Sequence, residues 1–448
     1  MSLPVADLAP FAERRRRVLD WMRGQGGGVA VLAAGKPPTR NRDSEYPFRP
    51  DSDFYYLTGF VEPDAWLVLI AGADDRALLF CRARHAEHEI WEGKRFGPQA
   101  AATHFQMDDA YSVESLDELL PAWLMDQPTL WLGLADDLVA PKARGWLAQA
   151  RERTRAGARA PEQLRDLSGL LAEMRLVKDA SEIATMRQAA RISAHAHARA
   201  MRAVRPGMHE YELEAELLYE FRRQGAQAVA YSSIVAGGAN ACVLHYPAGD
   251  AVLRDGDLVL IDAGCELDCY ASDITRTFPV NGKYSGPQRA LYDLTVAAQD
   301  AAAAATRPGA SWNDAHLAAV RVLTQGLIDE GLLQGSLDGA IESSAYSRFY
   351  MHRTGHWLGL DVHDVGDYRG SPAARAAAGE RPWRTLEAGM MLTIEPGLYV
   401  RAADDVPARF WDIGIRTEDD ALVTDTGCEL ITRAVPVNAR EIEALMRE

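Results

Sequence analysis

No apolar run in this 448-residue chain is long enough to cross a bilayer. The longest obvious one, "AWLVLIAGA" from Ala65, is about half of the ~20 residues a membrane helix needs. An excess of basic charge is also missing: the formal net charge of -16 argues against a nonspecific nucleic-acid binder. Cysteine is sparse. Cys81, Cys242, Cys265, Cys269 and Cys428 match no tetrahedral zinc spacing, which leaves buried reduced thiols as the reading. The opening "MSLPVADLAPFAERRRRVLD" has charges without an apolar segment behind them, so no secretory signal is expected. "GQGGGV" misses the spacing of a dinucleotide loop. In "HAEHE" the residues His85 and His88 stand three apart, so the H-E-x-x-H zinc-protease geometry is absent. His195 and His197, two apart in a helical run, do not share a face and read as structural. The expectation is a cytoplasmic protein that uses neither membrane nor nucleic acid.

What is present is ample core material, 48% hydrophobic, and a change of style along the chain. The first third alternates strand-like runs ("GGGVAVLAAG", "DAWLVLIAG", "RALLFCRAR", "PTLWLGLA") with helical ones such as "FAERRRRVLDWMRGQ". This predicts a compact α/β domain over residues 1–172. The basic "RERTRAGARA" reads as a solvated linker face. Residues 173–448 read as an α+β domain without tandem repeats. Asp179 and Ser181 are candidate caps for a long amphipathic helix, followed by a second helix through "YELEAELLYEFRRQG". Strands dominate from Val229 to Val280. Helices are predicted from Pro287 to about Ala305, Asn313 to about Asp329 and Ala340 to Tyr350. A strand-rich block from Gly389 to Thr432 and a short helix near Asn438 finish the chain. "RGSPAARAAAGERPW" reads as a surface loop.

Within this second domain, acids lie where a strand core disfavours them. Asp262 and Asp273 sit eleven apart in "IDAGCELDCYASDITRTFPV", an otherwise apolar stretch. Simple alternation would put them on opposite faces. A reversal at "GCELDCYA" would let antiparallel partners bring both carboxylates to one face, although acids capping a hairpin turn would read the same way. "FYMHRTGHWLGLDVHDVG" holds His352, His356 and His363, three of the chain's 11 histidines. Glu395 follows an apolar strand in "MLTIEPGLYV", and Glu418 follows another beside Arg416. Carboxylates with one imidazole suit Mn(II), Co(II) or Zn(II) better than a sulfur-rich site does. Four acids exceed the need of one ion, so two divalent ions with bridging carboxylates, activating water toward a carbonyl, are expected.

The segments "IDAGCELDCYASDITRTF", "HRTGHWLGLDVHDVG", "TIEPGLYV" and "GIRTED" resemble the proline-specific metallopeptidases of the pita-bread fold. That family includes aminopeptidase P, prolidase and, more distantly, methionine aminopeptidase and creatinase. The resemblance covers essentially the whole chain, and all five metal-ligand types occur in family order. It implies a C-terminal pita-bread domain preceded by a smaller α/β domain that restricts the active site. It also implies Asp262, Asp273, His356, Glu395 and Glu418 as ligands of two ions, most often Mn(II), with Asp273 and Glu418 bridging. Asp262 would complete one shell, His356 and Glu395 the other. By the same resemblance His245 and His363 are active-site histidines, and Glu395 moves a proton. His352 lines the proline pocket, and Tyr399 and Arg416 support the ligands.

"RDSEYPFRPDSDFYYLTGF" and "HEIWEGKRFG" look like bacterial aminopeptidase P, a homo-oligomeric group of tetramers or dimers. Trp91 in the second stretch is a candidate to reach a neighbouring subunit's substrate. The implied reaction is hydrolysis between an N-terminal residue and a following proline. Prolidase, which takes Xaa-Pro dipeptides, shares the five ligands and stays open as an alternative; Arg369, after His363, is a candidate contact for a dipeptide carboxylate. Pita-bread domains that only bind other proteins usually show eroded ligands, and none is eroded here.

Overall fold

Alternating Val, Leu and Ala in the first third build a sheet that is covered on both faces. The computed structural model describes residues 7–370 and 381–448, and the chain divides into two compact units, Met1–Met174 and Arg175–Glu448. In the first unit six strands are ordered Asp109–Ser112, Arg76–Cys81, Trp66–Ala71, Gly28–Ala33, Thr129–Leu132 and Gln163–Asp166. Gly28–Ala33 and Trp66–Ala71 are buried at every position, as uninterrupted apolar runs require of a sheet covered on both faces, and they pair antiparallel. Trp66, Leu78, Phe80, Leu130 and Trp146 are among the residues of the core on one face.

The second unit begins with two packed helices, Ala180–Ala203 and Glu210–Arg223. Asp179 caps the first: its carboxylate accepts from the Ser181 and Glu182 amides while Glu182 returns a bond to the Asp179 amide. Helices Gly286–Ala305 and Trp312–Asp329 start on serine caps, Ser285 and Ser311. The single helix expected from Ala340 to Tyr350 is instead two pieces. Leu337–Glu342 is α-helical and Ala345–Arg348 is a 3-10 turn, separated by Ser344 in the left-handed region at φ 57°. A non-glycine residue there cannot continue a right-handed helix.

Antiparallel strands form the centre of this unit. One sheet is Ile234–Gly237, Leu258–Asp262 and Thr275–Pro279; another is Met391–Ile394, Asp419–Val423 and Cys428–Leu430; a pair joins Gly397–Val400 to Ile413–Arg416. A bridge between Thr275 and Glu418 ties the first sheet to the link between the others. Val259, Ile261, Phe278, Ile394, Leu398 and Ile415 are fully buried within this core. Burial is worth about 1.5–3 kcal/mol for each such side chain, enough to hold polar strand ends facing one another. Most of the loop expected over residues 369–383 lies outside the described residues.

Candidate metal centre and substrate cavity

Asp262 ends its strand and pairs with Thr275 across the antiparallel ladder. Directly opposed residues share a face, and so do residues two apart on one strand; Asp273 therefore joins Asp262 on that face. The reversal between them is a tight hairpin of Cys265–Leu267 with Tyr270–Ala271. Its two central residues, Asp268 and Cys269, both take positive φ, 47° and 65°. Gly264 makes the close approach possible, because a Cβ there would stand 1.7 Å from the Ser272 carbonyl oxygen. The hydroxyl of Tyr231 then touches both acids, lying 2.6 Å from Asp262 Oδ1 and in short contact with Asp273 Oδ1.

The other three side chains arrive from different elements. His356 lies beside Met391–Ile394, its carbonyl accepting from the Thr393 amide at 2.9 Å. Gly355 permits this, since a Cβ would meet the Thr393 carbonyl oxygen at 2.0 Å. His356 Nδ1–H donates to the Trp357 carbonyl at 2.9 Å. That leaves Nε2 facing the acids, 3.5 Å from Asp273 Oδ2 and 3.7 Å from Glu395 Oε1. Glu418 is held from two sides by Thr275: its amide donates to the Thr275 carbonyl at 3.0 Å, and the Thr275 hydroxyl donates to Oε2 at 2.6 Å. Asp273, His356 and Glu418 each present an atom within 4.8 Å of the others'.

Charge in this space is unbalanced without a cation. Burial, followed by the charges of Asp273, Glu395 and Asp262, pushes the Glu418 carboxyl well above its ordinary range. Burial pushes Glu395 up to about 7 despite the nearby His356 and Arg416. Burial opposes charging His356, yet the Asp273 and Glu395 carboxylates outweigh it and push the ring up to about 9. Four carboxylates converging on one apolar-walled space with a single engaged arginine are the donor set for hard or borderline divalent ions, and the residues fit such ions.

Arg416 is that arginine. Its Nη2 donates to Asp262 Oδ2 at 2.6 Å and its Nη1 to the Tyr399 hydroxyl at 2.8 Å. Tyr399 in turn lies 2.9 Å from His352 Nε2, and His352 Nδ1–H donates to the Arg353 carbonyl at 2.7 Å. This chain of donors fixes His352 as a neutral ring, and burial with the Arg416 charge pulls it down to about 4. His352 Nδ1 lies 3.8 Å from Glu395 Oε2.

A cavity of about 1000 Å³ opens over these groups. Asp262, Asp273, His356, Glu395 and Glu418 line it together with His245, His352, His363 and Arg416. The His363 and His356 rings are 4.2 Å apart, and burial pulls His363 below the ordinary histidine value. Tyr399 supports the wall from behind, fully buried, through Arg416 and His352. Trp91 belongs to the first unit, on the short helix Ala86–Glu92, where its side chain is 87% exposed. Arg369 is not among the lining residues: its guanidinium lies 3.4 Å from the Trp383 ring centroid and donates to the Arg381 carbonyl at 2.9 Å.

Several residues of the site carry no motif. Tyr231 sits in "AVAYSSIV", where an isolated tyrosine signals nothing about two acids 31 and 42 residues away. Asp420, whose carboxylate accepts from the Asp273 amide at 3.2 Å, could have been suspected as a third acid in "TEDD". Arg353, Tyr368 and Trp383 also line the cavity.

Residues 184–425 match metallopeptidase family M24, and residues 11–131 match the aminopeptidase P N-terminal domain. The chain is 44% identical over 442 residues to a protein named Xaa-Pro aminopeptidase from Haemophilus influenzae, covering 97% of this chain and 96% of that one. It is 33% identical to the human Xaa-Pro dipeptidase, covering 98% of this chain and 93% of that one. Among solved structures, the Pseudomonas aeruginosa aminopeptidase PepP superposes with a TM-score of 0.94 at 47% identity, covering 98% of each chain.

Proposed function

The chain belongs to metallopeptidase family M24, with an aminopeptidase P N-terminal domain ahead of the catalytic unit, and from that premise we propose that it is a metal-dependent Xaa-Pro aminopeptidase. It hydrolyses the bond between an N-terminal residue and a following proline. The observation that carries the reading is the convergence of four buried or half-buried carboxylates and one histidine Nε2 on a single cavity of substrate size.

Asp273 and Glu418 would be shared between two divalent ions, with Asp262 completing one set and His356 and Glu395 the other; Mn(II) is the proposed physiological ion. Bound there, the ions supply Lewis acidity toward the scissile carbonyl and an activated water. The remaining steps belong to the protein. Tyr231 and Arg416 fix the orientation of Asp262, so that its lone pairs face inward. Glu395, whose burial brings it to about 7, is suited to carry a proton to the leaving proline nitrogen. His245 and His363, both on the cavity wall, would donate to the peptide carbonyls, and His352, held neutral, packs against the proline ring. The acidic end receives the substrate's α-ammonium, which restricts cleavage to the first residue.

We further propose a cytoplasmic homo-oligomer, tetramer or dimer, in which the exposed Trp91 is available to a neighbouring copy; light scattering that gives a monomer mass at all concentrations would remove that part. Among the described residues no helix is long and apolar enough to cross a membrane. The dipeptidase reading is second, supported by the similarity to the human enzyme, but at lower identity than the aminopeptidases. The test is release of free arginine from Arg-Pro-Pro by Mn(II)-loaded protein. We expect turnover that chelation abolishes, that Mn(II) restores, and that falls sharply with Arg-Ala-Pro. Absence of cleavage in metal-loaded protein would overturn the assignment, and faster cleavage of Arg-Pro than of Arg-Pro-Pro would move it to dipeptidase.

A further inference from the structure

The cavity lining carries charge of both signs. Asp262, Asp273, Glu395 and Glu418 belong to it, and one lining arginine, Arg416, is committed to Asp262 at 2.6 Å. Next to His352, on the same continuous lining, is a second arginine, Arg353. Its Nη2 donates to the neutral Asn313 Oδ1 at 2.5 Å, and its guanidinium lies over the Trp383 ring, 4.9 Å from the centroid. Among the described residues it forms no ion pair with a carboxylate. A guanidinium has five donors, and a single amide oxygen with one aromatic face orients the plane while leaving most of the fork free. Such a fork matches a planar carboxylate in two parallel bonds.

Resting on the Xaa-Pro reading above, we propose that Arg353 is a specificity-determining residue for the leaving side of the substrate, pairing with the C-terminal carboxylate of short Xaa-Pro-Yaa peptides. A short peptide is a zwitterion, and the cavity is its electrostatic complement. The ammonium lies toward the acids, the carboxylate toward Arg353, and proline between them beside His352. The volume, about 1000 Å³, is at the upper end for small-ligand sites and leaves room for a residue beyond proline. Blocking or displacing the terminal carboxylate removes the pair without touching the cleavage chemistry.

The test compares Arg-Pro-Pro with its C-terminal amide on Mn(II)-loaded wild type, Arg353→Met and Arg353→Lys, by steady-state kinetics. Wild type should favour the free acid by about 10–100-fold in kcat/KM, the range of a charge-assisted hydrogen bond. The difference should lie mainly in KM, because the pair is the same before and during bond breaking. Arg353→Met should abolish the preference by weakening the acid alone, and Arg353→Lys should keep part of it, having charge without the fork. An acid-to-amide ratio unchanged in Arg353→Met, or equal loss on both peptides, would overturn the proposal while leaving the Xaa-Pro reading intact. Cleavage of neither peptide by wild type would instead overturn that reading, and this proposal with it.

Discussion

Asp364→Asn should cost the catalytic unit about 3 kcal/mol, although Asp364 is neither a ligand candidate nor part of the cavity wall. Its carboxylate meets Lys178 Nζ at 2.9 Å and Arg175 Nη2 at 2.6 Å. All three side chains are nearly sealed from water, at 1%, 1% and 3% exposure. Breaking a buried pair by removing one partner costs about 3–5 kcal/mol, because the other charge is left uncompensated. Arg175 keeps a second carboxylate, Asp361 at 2.6 Å, and the new amide oxygen can still accept one bond, so the lower end of that range applies. At 2–4 °C per kcal/mol for a unit of this size, Tm should fall by roughly 6–12 °C. The pH dependence follows from the same contacts. Burial raises the Asp364 pKa, but the Lys178 and Arg175 charges outweigh it and hold the carboxyl below its ordinary value. A lowered folded-state pKa means that the stabilisation is complete above the unfolded value, about 3.9, and is lost as pH falls through it toward the folded value. The gap between wild type and Asp364→Asn in denaturant unfolding should therefore be full at pH 7 and narrow below about pH 4. Adding Lys178→Met to Asp364→Leu should recover part of the loss, since no charge is then stranded at Lys178. Equal unfolding midpoints at pH 7, or a gap that persists unchanged into acid, would refute the reasoning. Because Asp364 directly follows His363, weakening its side-chain pairs with Arg175 and Lys178 should lower activity as well.

Asp273→Ala should reduce bound metal and abolish peptide hydrolysis while leaving circular dichroism near wild type; undiminished metal by mass spectrometry would remove it from the ligand set. His363→Ala should retain both ions yet lose about 10²–10⁴ in kcat, and wild-type kcat in metal-loaded protein would make it a structural histidine. Tyr231→Phe should weaken metal binding about 10–100-fold in a chelator competition titration. One hydroxyl proton serves two carboxylates, Asp262 and Asp273, so the loss is that of one donor, and an unchanged affinity would show that neither acid depends on it.

Much of the fold was legible because its signals are local. Apolar runs such as Trp66–Ala71 and capped helices such as Ala180–Ala203 follow from side-chain periodicity and short-range hydrogen bonds. The helix expected from Ala340 to Tyr350 failed on a backbone event at Ser344 that no periodicity announces. At the site, the four acids stood out in advance because a carboxylate beside apolar strand residues conflicts with its surroundings, whereas the choice of His356 among three nearby histidines came from the family resemblance. Whether Asp262 and Asp273 share a face was open in the sequence, because alternation alone opposes them. The register of Asp262 with Thr275 and the close approach at Gly264 decided it.

Chain order by itself determined which chemical groups this protein has and which strands and helices carry them. Tertiary structure alone decided which of those groups meet. Tyr231 reaches two acids, Lys178 finds Asp364 186 residues away, Arg369 turns to Trp383, and Arg353 faces the cavity. Such contacts depend on packing between distant elements, and a tyrosine or arginine is compatible with almost any surface position until that packing buries it beside a charge.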